Sequence, residues 1–241
     1  MAKRSQLILT FLFLPAVIFP HNIPEELPVW THYGRAGTAH LDEWGGLGYY
    51  RIKRVRENTF YDLRLLGVFI RRETFATLRY KSSRKFDAFP RLYTFTIVSM
   101  RHSSGSKLTI RYHYNQGVGA FLFQVPETHL TTELALSYDM SDYLHDTQKT
   151  SYLKGGLFWD VDIKRSSLAV DFEYFYQISD VIPGKDNLTR YELSAELNTD
   201  VGNRFLITVG YEDEFYLETD LRNVRAVYLG LGFRKLLPLT F

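Results

Sequence analysis

The chain reads as an all-β protein, an antiparallel transmembrane β-barrel of about twelve strands with both termini on the periplasmic side. Three observations predict it. Strand-like runs follow one another from Trp44 almost to the end, their connections alternate between short and long, and the last run has one oily and one small face. Successive side chains on a strand point to opposite faces. From Val224 to Phe233, therefore, Val227, Leu229, Leu231 and Phe233 share one side, while Ala226, Tyr228, Gly230 and Gly232 share the other. A soluble sheet turns its oily side to a core, whereas a membrane barrel turns it to acyl chains and keeps small and polar groups inside.

Composition bounds the alternatives. With 241 residues, no Cys, a formal net charge of +2 and 16% aromatics, one large β-domain is the simplest organisation. The lack of Cys excludes disulfides, lipoprotein acylation and thiolate metal sites, so the sheet must hold itself together. A charge near neutral supplies no basic face for phosphates, and no nucleic acid partner is expected.

Lys3 and Arg4 precede an apolar run from Leu7 to Phe19, broken by Pro15, in the order of a secretory signal. That run is shorter than the roughly 20 residues a spanning helix needs. Residues 1–21 are read as a signal peptide and 22–43, which lack periodicity, as a periplasmic lead-in; the barrel is assigned to 44–241. No small-x-small site follows directly, so the cleavage position stays open. Gly37-Thr38-Ala39 is the first tidy one.

The runs, chosen by alternation and by β-branched or aromatic enrichment, begin with Trp44 to Lys53, Thr59 to Ile70, Thr74 to Lys81 and Arg91 to Met100. Lys107 to Asn115, Val118 to Val125, His129 to Tyr138 and Tyr152 to Lys164 follow. Ser167 to Ser179, Leu188 to Asn198, Arg204 to Glu214 and Arg222 to Arg234 complete the set. Counted back from a last strand ending in the periplasm, the breaks at 198–203, 164–166, 126–128, 101–106 and 71–73 should be short turns. Those at 215–221, 180–187, 139–151 and 82–90 should be longer outer loops, with weaker members at 54–58 and at Gln116 and Gly117. Pro90 and Pro183 fall in such loops, where a missing ladder donor costs nothing. Tyr138, Tyr143, Tyr152 and Tyr216 lie near strand ends, where an aromatic belt would meet the headgroups.

Behind its final strand the polypeptide closes on Phe241. Tyr228, Gly230, Gly232, Phe233 and Phe241 together resemble the carboxy-terminal insertion signal of bacterial outer-membrane barrels. From about Asn115 to Glu218 the order of features resembles the family of salt-induced outer membrane proteins. The resemblance is carried by Gly117-Val118-Gly119-Ala120, Leu136-Ser137-Tyr138, Gly155-Gly156, Glu173-Tyr174 and Tyr191-Glu192-Leu193-Ser194. It implies an outer-membrane barrel and little about chemistry. The early Gly-Asn-Ser/Thr strand of that family has no counterpart beyond Glu57-Asn58-Thr59.

No catalytic residue, metal site or cofactor is assigned. His102-Ser103-Ser104-Gly105 faintly resembles the His-x-Ser element of lipid A deacylases, but Ser-Ser-Gly is ordinary turn chemistry and no Glu follows at the spacing those enzymes use. His113 or His129 with Ser137 could form a phospholipase-like pair. Asp139, Asp142, His145 and Asp146 form an acidic loop whose spacing matches no ligand motif. Lys81, Arg84 and Lys85, placed in an outer loop, could meet lipopolysaccharide phosphates.

The strands' second face is charged along much of its length. The lumen candidates are Arg111, His113, Glu133, Lys154, Asp160, Asp162, Asp171, Glu173, Arg190, Glu192, Glu196, Arg204 and Glu212. Both signs occur, so the interior is either a narrow aqueous channel of weak ion selectivity or a salt-bridged plug. The expectation is a monomeric barrel in the outer membrane of a diderm bacterium, structural or passing a small solute or ion. Its partners would be outer-membrane lipid, lipopolysaccharide and the barrel-assembly machinery. The rivals are a lipid A deacylase-like or phospholipase-like barrel enzyme and an exported soluble β-sandwich binding module.

Overall fold

Period-two alternation sets the architecture. A computed structural model describes residues 29–237 except 72–73, 105–107, 144–145, 182, 185, 203 and 219–222. Twelve strands follow in order: β1 (Val29–His40), β2 (Trp44–Val55), β3 (Thr59–Phe69), β4 (Thr74–Phe86), β5 (Phe89–Ser103) and β6 (Leu108–Val125). The second half holds β7 (Thr128–Tyr143), β8 (Asp146–Ile163), β9 (Ser166–Gln177), β10 (Arg190–Val201), β11 (Phe205–Tyr216) and β12 (Val224–Leu237). Each pairs antiparallel with the next, and β1 pairs with β12 from Trp30↔Leu237 to His40↔Val227, closing the ring. Closure leaves no strand edge unpaired.

The faces segregate as the alternation predicts, with the oily one outward. On β11, Ile207 and Val209 are 42% and 47% exposed while Leu206 and Thr208 between them are 4% and 0%. On β12, Leu229 and Leu231 are exposed and Tyr228 is buried inside the ring. A β-sandwich would press those oily faces together, so the sandwich alternative is overturned. Contiguous apolar surface on this scale is far beyond what soluble monomers leave open.

Aromatic side chains form a girdle at each end of the band, the arrangement that anchors barrels at two interfaces. Trp44, Phe69, Tyr112, Tyr138 and Tyr176 are exposed toward one rim, and Phe86, Phe89, Phe123, Trp159 and Phe205 toward the other. Tyr152 and Tyr216, expected in the belt, instead point inward and are buried.

One rim carries the brief connections 56–58, 87–88, 126–127, 164–165 and 202–204 together with both ends of the ring, Trp30 and Leu237; it is the turn end. The opposite, loop end is where β1 gives way to β2, β3 to β4, β5 to β6, β7 to β8, β9 to β10 and β11 to β12. The count of twelve agrees with expectation through two errors that offset each other. The supposed lead-in contains β1, whose Gly34 and Gly37 look like chain breakers but pack the seam: a Cβ on Gly37 would lie 2.0 Å from the Leu229 carbonyl oxygen. The break at Gln116 and Gly117 does not exist, because β6 runs through it. Gly117 is needed there since a Cβ would lie 2.1 Å from the Leu134 carbonyl oxygen.

These two errors invert the sidedness of everything before β6. The connections 70–73 and 104–107 sit at the loop end, and 56–58 and 87–88 at the turn end. The long outer loops expected at 82–90 and 139–151 are largely strand, and Pro90 lies within β5 beside the register shift at Lys85 and Phe86. Residues 1–28 and Phe241 lie outside the described residues.

Two tyrosines stand on neighbouring glycines. Tyr93 pairs with Gly119 and Tyr228 with Gly210, and a Cβ on Gly210 would lie 2.0 Å from the Tyr228 ring. Each ring thus lies over a backbone with no side chain, the aromatic rescue of a strand glycine. Gly210→Leu is expected to displace Tyr228, break its bond to Glu196 and cost about 1–3 kcal/mol, read by urea unfolding in detergent.

Candidate functional site

The inward residues converge in tiers. At the loop end Glu214 on β11 gathers cations from across the ring. Arg101 of β5 bonds its Oε2, Arg111 of β6 donates to Oε1 at 2.8 Å, and the Arg190 Nε of β10 lies 3.4 Å from Oε1. In a ring of twelve, β5 and β11 are diametrically opposed, so the Arg101 bridge spans the lumen. The Tyr216 hydroxyl donates to Oε1 at 2.6 Å. Arg190 also meets Asp139 at 3.3 Å and Glu192 at 2.9 Å, and its guanidinium stacks 4.3 Å over Phe175. The ring of His113 bonds Asp139 through Nδ1.

In the middle tier, Glu133 of β7 accepts from Lys81 Nζ of β4 at 2.5 Å and from the Tyr93 hydroxyl at 3.0 Å. Lys154, wholly buried, sits 3.8 Å from Glu133 and bonds Glu173. Phe95 and Phe158 flank both lysines at 5.1–5.7 Å, a cation–π cage around desolvated ammonium groups. Beside β1, Arg35 bonds Glu196 at 2.5 Å and lies 4.0 Å over the Tyr49 ring, and Tyr228 donates to Glu196 at 3.0 Å. Asp62 is clamped by Arg51 at 2.7 Å and Arg64 at 2.6 Å.

Along these tiers runs a cavity of about 790 Å³. Its lining reaches Asn58, Asp200 and Arg234 at the turn end and Leu41 and Val224 at the loop end. The loop-end wall is apolar where Ala39, Leu47, Val68 and Phe75 pack with Tyr228.

Twelve of the thirteen expected lumen residues face inward. Asp160 bonds His129 at 3.0 Å, and Asp162, Asp171, Glu192 and Glu212 border the cavity. Arg204 is the exception: it lies exposed in the turn before β11. Lys81 and Lys85 are lumen residues on β4, and the connection they adjoin is at the turn end, so the loop expected to carry them outward is overturned. Of the residues missed, Glu214, which gathers three cations, and Asp139, read as a loop residue, lie in the carboxy-terminal half. Most lie in the amino-terminal half, where Arg35, Arg51, Arg64, Arg79 and Arg101 all face the lumen. Their alternation with Tyr50, Leu63, Leu65, Leu78 and Met100, all exposed on the outer face, was the available signal.

The enzyme-like elements do not assemble. His102 is spent on the Thr109 carbonyl at 2.6 Å, and the Ser104 hydroxyl accepts from the Thr74 amide at 2.7 Å; both groups tie the ends of the 104–107 connection. That connection lies at the loop end, opposite to expectation. His113 and Asp139 form an oriented pair, but no hydrogen bond joins His113 to Ser137. Among the described residues no group of carboxylates and histidines has metal-binding geometry.

A closed antiparallel ring, oily outside and charged within, is the fold of the bacterial outer-membrane β-barrels. An outer membrane channel from Pseudomonas putida F1 superposes with a TM-score of 0.50 at 9% identity, over 91% of this chain and 100% of that one. The translocator domain of the autotransporter NalP from Neisseria meningitidis matches at 0.49 and 14% identity, over 86% and 87%. The outer membrane protein Omp33 from Acinetobacter baumannii matches at 0.43 and 11% identity, over 86% and 99%. No protein-family model and no curated protein matches the chain.

Proposed function

We propose that this protein is an outer-membrane barrel of a diderm bacterium that passes small solutes through its lumen. The observation that carries this reading is the cavity of about 790 Å³, which meets charged side chains at both rims and between them, inside a ring whose outer surface suits only lipid. A purely structural barrel would have no use for a cavity lined with charge, because unfilled space forfeits packing.

In this reading residues 1–21 direct export and the barrel-assembly machinery reads Tyr228, Gly230, Gly232, Phe233 and Phe241. Both chain termini then lie in the periplasm, and the loop end faces outward among lipopolysaccharide. The kinship with salt-induced outer membrane proteins belongs to the same proposal and rests on residues 115–218 alone.

Two measurements test it. The folded protein is expected to require detergent for extraction and to migrate faster unboiled than boiled; recovery in the aqueous fraction would remove the membrane assignment. In planar bilayers it is expected to give discrete conductance steps. Silence from protein that passes the mobility test would leave a plugged structural barrel.

A further inference from the structure

The strand register aligns like charges, which neighbouring strands normally avoid. Arg51 on β2 lies opposite Arg64 on β3, which lies opposite Arg79 on β4. Across the ring, Glu173 on β9 lies opposite Glu192 on β10, which lies opposite Glu214 on β11. All six side chains border the same cavity. Asp62 relieves the first two arginines and Arg190 relieves Glu192 and Glu214. Arg79, Asp171 and Glu212 border the cavity with no ion pair among the described residues.

The segregation extends beyond these two ladders. Of the charged residues that line the cavity, those on β2 to β5 are all cations: Arg51, Lys53, Arg64, Arg79, Lys81, Lys85 and Arg101. Those on β8 to β11 are all anions, and they include Asp160, Asp171, Glu173, Glu192, Glu196 and Glu212. The inward residues of opposite sign, Asp62 on β3, Lys154 on β8 and Arg190 on β10, are buried in ion pairs and do not border the cavity. Two facing walls of opposite sign set up a field across the lumen rather than along it, focused by the low-dielectric ring around it.

In such a field a solute of single charge gains only at the wall of opposite sign. A solute carrying both charges gains at both. We propose that the lumen selects small zwitterions, taking a carboxylate toward Arg79 and an ammonium toward Asp171 and Glu212. This assignment rests on the channel reading and names its solute class. A cavity of this volume accommodates an amino-acid-sized molecule with part of its hydration shell.

The test is solute entry into proteoliposomes, followed by swelling. Four probes of similar size separate the cases: β-alanine as zwitterion, lactamide as neutral, lactate as anion and ethanolamine as cation. The wild type is expected to admit β-alanine roughly tenfold faster than lactamide, the lower end of what focused fields supply, with lactate and ethanolamine both slower than β-alanine. Arg79→Gln and, separately, Asp171→Asn with Glu212→Gln should lower the β-alanine to lactamide ratio toward one. Because none of these three side chains is in an ion pair, the variants remove field without breaking a bridge. Entry of lactamide as fast as β-alanine in the wild type overturns the zwitterion assignment and leaves the channel standing. Faster entry of lactate or ethanolamine than of β-alanine does the same, and exclusion of all four probes overturns the channel and the assignment together.

Discussion

Glu214→Ala is expected to destabilise the barrel by about 3–5 kcal/mol and to open its loop end, because it strips the shared counter-charge from the buried guanidinium groups of Arg111 and Arg190 and the partly buried one of Arg101. Arg101 and Arg111 both turn to this carboxylate, and Arg190 lies 3.4 Å from it. Breaking one partner out of a buried ion cluster leaves charge that neither water nor protein solvates well. Arg190 keeps Asp139 and Glu192, but Arg101 loses its bridge across the ring. The open positive tier should raise single-channel conductance and shift reversal potential toward anion preference. Glu214→Gln, which retains an acceptor for the Tyr216 hydroxyl, should show the same selectivity shift with a smaller stability loss. Unfolding in urea and bilayer reversal potentials measure the two effects, and an unchanged reversal potential would deny that Glu214 sits in the conducting path.

The second large effect is expected at Glu133. Alanine here removes the bonds to Lys81 and Tyr93 and one of the two carboxylates beside the buried Lys154, at a cost again of about 3–5 kcal/mol. Lys154 keeps Glu173, so the unsolvated charge is that of Lys81. Combining Glu133→Leu with Lys81→Met deletes both halves of the pair and fills the space with apolar side chains against Phe95 and Phe158. The double variant is expected to recover most of the loss, since buried pairs replaced whole by hydrophobes are often neutral. A double variant as unstable as Glu133→Ala would show that this bridge is not what holds β4 to β7.

Much of the fold was legible because the ring makes period two visible in every strand. Inward and outward faces could be read from Ser167 to Gln177 and from Arg204 to Glu214 alone, and both agree with the structure. What misled was glycine. Gly37 and Gly117 have the composition of breaks, yet in a closed sheet they mark where one backbone lies too near the next for a Cβ. That fact depends on the partner strand, which no local window contains. Loop lengths failed for a related reason: β6, β7 and β8 run long past the band, so polar stretches such as 139–143 are strand that contacts neighbours rather than loop.

The candidate site was half legible. Charged positions on the acidic strands were found from their alternation, but the opposed basic wall was not, because two separated stretches of sequence face each other only once the ring is shut. Tyr152 and Tyr216 were misplaced on the same grounds. They frame Arg190 inside the lumen, a role that becomes visible only with β8, β10 and β11 assembled.

Followed along the polypeptide, the division of sign also bears on how the ring comes together. The leading half of the chain, laid out as a curved sheet, would present a concave side that is mostly cationic, with Asp62 the exception, and the trailing half one that is mostly anionic, with Lys154 and Arg190 set into it. Each repels a second copy of itself and attracts its complement, so pairing between like halves of two molecules is disfavoured while end-to-end meeting within one molecule is favoured. The expected result is little swapped dimer on refolding at rising protein concentration, read by size-exclusion chromatography in detergent.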